Sequence, residues 1–132
     1  MIKISLFLLK SGAENADIEE AVRSVTNKNV VPVYFYHINS ISEINEIEKQ
    51  TDWFVVMYDN ETISPGLMDV LSIYLEHSKR DALVLFKKKN LTLTKAPRVF
   101  RRHIELMPDN LLPVDTTTVF EVVLDGWVKE LS

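Results

Sequence analysis

Two acidic side chains, Asp59 and Glu61, stand two residues apart directly after the apolar run Trp53-Phe54-Val55-Val56-Met57-Tyr58. A run with apolar residues on both faces reads as a central strand covered on each side. The acids are thereby delivered to a strand's carboxyl end, the edge at which open α/β sheets bind ligands. Carboxylate oxygens there suit a hard divalent cation such as Mg²⁺ or Mn²⁺, which keeps waters and substrate phosphates as its other ligands. A solvated turn ahead of a helix is the chemically silent alternative. Positive charge is concentrated elsewhere. Residues 79–102 hold nine of the fifteen Lys and Arg with one acid, Asp81, whereas residues 1–78 sum to −7 and 103–132 to −5. A basic stretch between acidic ones reads either as a place for an anionic ligand or as a solvated hairpin with lysines at its turn.

The elements that must position these groups follow from periodicity. Ile2 to Leu9 begins with alternation and ends continuously apolar, a first strand. Asp17 and Glu20 form a capping-box pattern ahead of Ile18, Ala21, Val22 and Val25, which predicts a helix. Val30 to Tyr36 reads as the second strand, Ser40 with Glu43 opens a short helix on Ile41, Ile44 and Ile47, and Trp53 begins the third strand. Ser64 as N-cap and Pro65 at the first helical position predict a helix burying Leu67, Met68, Leu71 and Leu75. Ala82 to Phe86 is a fourth strand, Lys87 to Asn90 a turn, and Leu91 to Thr94 a half-exposed strand. The order β-α-β-α-β-α-β predicts a three-layer α/β sandwich with a mostly parallel sheet and right-handed crossovers. Residues 95–103 read as an irregular or strand-like basic segment. Thr118 and Glu121 then predict a last helix on Val119, Phe120, Val123, Leu124, Trp127, Val128 and Leu131.

The strand ending in Asp59-Asn60-Glu61, with Pro65 opening a helix shortly after, resembles the nucleotide-sugar loop of family 2 glycosyltransferases of the GT-A fold. Arg98-Val99-Phe100-Arg101-Arg102 resembles the Arg-x-Phe-Arg-Arg segment with which such enzymes return toward the metal site. The resemblance implies a GT-A, nucleotide-diphospho-sugar transferase-like domain over residues 1–132. Asp59 and Glu61 fall on its metal-binding DxD positions and would hold Mg²⁺ or Mn²⁺ against a sugar nucleotide. Arg98, Arg101 and Arg102 would bind substrate, and Asp115 is the candidate base that deprotonates an acceptor hydroxyl. Where the family carries Pro and Asn after its first strand this chain has Leu9-Lys10-Ser11, and where it carries Asp residues after its second this chain has His37-Ile38-Asn39. A second interpretation therefore stays open: a catalytically silent module on the same fold that binds a nucleotide, an anion or a protein. A third, a receiver-like phosphoacceptor at Asp59, lacks the acidic pair that such domains need after the first strand.

Composition removes other classes. With 132 residues and 46% apolar composition, one domain with a real core is expected. The absence of Cys excludes disulfides and thiolate chemistry and suits the cytoplasm. His37, His77 and His103 have no partner at metal-ligand spacing, and three scattered glycines cannot build a phosphate loop. No apolar stretch has the length of a transmembrane span, and nucleic acid is not an expected partner.

Overall fold

The computed structural model describes residues 2–131. In chain order the elements are β1 (Ile4–Leu9), α1 (Ile18–Thr26), β2 (Val33–Ile38), α2 (Ser42–Glu46), β3 (Trp53–Tyr58), β4 (Glu61–Ile63), α3 (Leu67–His77), β5 (Ala82–Lys89), β6 (Thr92–Arg101) and β7 (Phe120–Glu130). Seven strands form one sheet in the order β2-β1-β3-β6-β5-β7-β4. The parallel trio at one side is held in register by Leu6, which faces Phe35 on β2 and Val55 on β3.

The predicted three-layer sandwich with a mostly parallel sheet does not form. β1 pairs in parallel with β2 and β3, and β5 with β7, but β6 runs antiparallel to both β3 and β5, and β4 antiparallel to β7. The result is a curled, mixed half-barrel with few helices. Two local causes account for it. Asn90 takes a left-handed φ of 54° and reverses the chain in a tight hairpin, so the short strand after it and the basic segment that reads as irregular or strand-like join into one full strand, Thr92–Arg101, beside β5. The second cause is that residues 120–130 are a strand, not the predicted helix.

That strand was hidden by its spacing. The helical intervals of Phe120, Val123, Trp127 and Leu131 mislead: the residues buried on β7, Val123 and Val128, lie five apart, a step that matches no helix face, and a register irregularity between Val84 and Phe86 of β5 lets both reach the core. The β-branched and aromatic content of Val119-Phe120-Glu121-Val122-Val123 favours extension instead. Glu121 caps nothing; its carboxylate accepts a hydrogen bond from Ser78 Oγ at 2.8 Å. Ser64 is likewise not an N-cap. Gly66, at φ +76°, precedes α3, and Ser64 Oγ accepts from the Trp127 N–H at 3.0 Å, tying the α3 entrance to β7. The Asp17 cap is as predicted, accepting from the Glu20 N–H at 3.0 Å.

One face of the sheet is covered by helices: Ala21 and Val25 of α1 and Leu67, Met68, Leu71 and Leu75 of α3 pack on Leu6, Val55, Leu83 and Val99. The other face has no comparable helix among the described residues. There Phe7, Phe54, Val56 and Phe100 are covered by Ile41 and Ile44 around the five-residue α2 and by Ile104, Leu106 and Leu111 from the irregular chain before β7. No helix among the described residues is long and apolar enough to cross a membrane.

Candidate functional site

Asp59 stands at the carboxyl end of β3, as its sequence context requires. Its N–H donates to the Leu9 carbonyl at 3.0 Å and its carbonyl accepts from the Asp17 N–H at 2.9 Å, so the loop after β1 and the start of α1 are both laced to it. Its Oδ1 accepts from the Ser11 N–H at 3.0 Å and also from Ser11 Oγ. The side chain therefore organises the end of β1 while its Oδ2 has no protein partner among the described residues.

Glu61 has a different fate. It begins β4 rather than sitting in an open loop, and it is fully buried. Arg98, 3% exposed, grips it with both arms, Nη1 to Oε1 at 2.7 Å and Nη2 to Oε2 at 2.9 Å. The Tyr58 N–H donates to Oε1 at 2.7 Å and Lys87 Nζ lies 3.0 Å from Oε2. Burial alone would push this carboxyl upward; the Arg98 hydrogen bonds and charge, with the Tyr58 N–H and Lys87, outweigh it and hold the group below the usual glutamate range. Lys87 also reaches Glu130 at 3.4 Å, and Lys89 meets the same acid at 3.5 Å. Arg98 further stacks its guanidinium 5.0 Å from the Tyr58 ring centre.

This arrangement does not fit a divalent cation on the Asp59–Glu61 pair. Both Glu61 oxygens are committed to cationic donors, and the place beside them is taken by a guanidinium and an ammonium. Among the described residues no three His, Asp or Glu side chains gather in a metal-like cluster.

An open cleft of about 380 Å³ lies at the carboxyl ends of β1, β2 and β3, lined by Leu8, Lys10, Ile18, His37, Ile38, Asn39 and Asp59. This is the edge at which parallel strands present ligands. Asp59 is the one carboxylate among its lining residues, with Lys10 and His37 available for an anion and Asn39 for hydrogen bonding. Lys10, His37 and Asn39 could have been found from sequence only as the residues leaving the first two strands.

The remaining candidates are elsewhere. Asp115 lines a separate cleft of about 480 Å³ with Lys79, Arg80, His103 and Glu105, near the start of β5 and β7. Since β3 runs six residues from that level to Asp59, Asp115 is removed from it by about 20 Å of strand. Its carboxyl accepts from the Thr117 hydroxyl and N–H, which hold it below the usual range, unlike a poised base. Arg101 is at the same far edge. It pairs with Asp81 at 3.0 Å, donates to the Arg80 and Ser78 carbonyls and lies 4.4 Å over the Trp53 ring. Arg102 faces Asp52 at 3.6 Å. Of the predicted site residues, only Glu61 and Arg98 touch, and they touch each other.

Known proteins were compared with this chain in sequence and in structure. No family model matches it and no curated protein sequence does. Among solved structures it is similar to the crystal structure of S. aureus TarS, with a TM-score of 0.62 and 10% identity, over 99% of this chain and 37% of that one. The chain thus spans little more than a third of the matched protein. The likeness is one of fold alone.

Proposed function

We propose that this domain binds a nucleotide, free or sugar-linked, in the cleft at the carboxyl ends of β1, β2 and β3, without a cation on the Asp59–Glu61 pair and without carrying out sugar transfer on its own. One observation carries this: the buried Glu61 is closed by Arg98 and Lys87, so fixed side-chain charge occupies the position at which a metal-dependent transferase would hold its ion. Around it the cleft keeps what a nucleotide requires. Lys10 and His37 suit phosphate oxygens, Asn39 offers amide donors and an acceptor, and the unpartnered oxygen of Asp59 can accept from a ribose hydroxyl. The glycosyltransferase-like fold supports a nucleotide at this edge. The distant position of Asp115 argues against it as acceptor base.

The test is calorimetric titration of UDP and GDP in EDTA and again with Mn²⁺. One of the two nucleotides is expected to bind equally in both conditions and about tenfold more weakly to Lys10→Ala, the loss of one charge-assisted contact. Failure of both nucleotides to bind, or binding that appears only with Mn²⁺, would overturn the proposal.

A further inference from the structure

We infer that the hairpin joining β5 and β6 is a membrane-surface contact that takes anionic lipid headgroups on its lysines and buries its leucine tip at the acyl boundary. The inference stands independently of the ligand in the cleft.

Residues paired across strands project on the same face of a sheet. Register therefore divides the outer end of β5, β6 and β7 into two unlike faces. One face carries Lys87, Lys89 and Glu130, joined by ion pairs to one another and to Glu61. Phe86 pairs with Lys95 and Trp127, and Lys88 with Leu93 and Lys129, so these six residues share the opposite face. Its three lysines are exposed, and among the described residues none has a carboxylate within ion-pair distance. Lys88 Nζ instead lies 4.6 Å over the Trp127 ring. At the apex Leu91 is fully exposed, and Leu93 is 57% exposed.

Each part of this pattern narrows the partner. Three unpaired lysines select negative charge. A soluble polyanion would satisfy them and leave Leu91 in water. A bilayer surface satisfies both, because it offers headgroup charge at one depth and hydrocarbon a few ångströms below. Trp127 beside the lysines has the amphipathic ring that settles at that interface. The hairpin also projects from the same edge as the cleft, since Val55 of β3 and Leu83 of β5 both pair with Val99 and both strands run toward that edge. Two leucines and three lysines amount to reversible, salt-sensitive adsorption rather than insertion.

The test is co-sedimentation of the full chain with vesicles of phosphatidylcholine plus phosphatidylglycerol, with phosphatidylcholine alone, and in parallel its retention on heparin. Binding is expected on the anionic vesicles, to fall with added salt, and to be weak on neutral ones. Each of Lys88→Gln, Lys95→Gln and Lys129→Gln should weaken it about fivefold. The pair Leu91→Ser and Leu93→Ser should reduce it at least about tenfold while heparin retention and the urea midpoint stay unchanged. Absence of binding to anionic vesicles overturns the inference. So does a leucine double variant that sediments like the wild type, which would assign the lysines to a soluble polyanion.

Discussion

At the scale of single residues, the pair Arg98–Glu61 decides the chemistry of the domain. A buried bidentate pair adds little net stability, but removing one partner strands the other's charge. Arg98→Met should therefore cost about 3–5 kcal/mol in urea unfolding, and adding Glu61→Leu should recover most of that loss. An Arg98→Met protein as stable as the wild type would mean that the grip is slack in solution. The pH dependence follows from the same contacts. Because the folded Glu61 pKa lies below its unfolded value, its stabilisation is fully present above the usual glutamate range and disappears as pH falls through the depressed folded value. Unfolding measured across the acid range should be flatter for the double variant than for the wild type. This pair was not legible in the sequence, because its members stand 37 residues apart and each already had a plausible separate role, as metal ligand and as substrate arginine.

At the scale of elements, legibility tracked burial pattern. The apolar run Trp53–Tyr58, the Asp17-capped α1 and the amphipathic α3 carry one period each, and all three formed. β7 carries two conflicting signals, apolar residues at helix-like intervals and a β-branched composition, and pairing with β5 and β4 decided between them. Glycine position provides a check on that assignment. In a helix Gly126 would merely lower the propensity; in the sheet a Cβ there would stand 2.3 Å from Leu67 Cδ1 and 3.1 Å from Ser64 Oγ. Gly126→Ala should destabilise by about 1–3 kcal/mol in urea unfolding, the cost of overpacking, against the gain that a helical position would give. A stabilised variant would contradict the close approach of β7 to the α3 entrance.

At the scale of the whole molecule, the sheet separates two sets of charged residues that the sequence had joined. Asp115, Arg101 and Arg102 belong to the edge where β3 and β5 begin, and Asp59, Lys10 and the β5–β6 hairpin to the edge where these strands end. Asp115→Asn should accordingly leave nucleotide affinity in calorimetry unchanged. A loss would place the two edges in one functional unit. The central claim is that this domain has closed its acidic loop to metal with Arg98 and Lys87. Its most direct test is titration of the protein with Mn²⁺ alone, following the free ion by its paramagnetic resonance signal, in wild type and Glu61→Gln. No saturable binding in either protein is predicted; a saturable site in the wild type that Glu61→Gln removes would contradict the account.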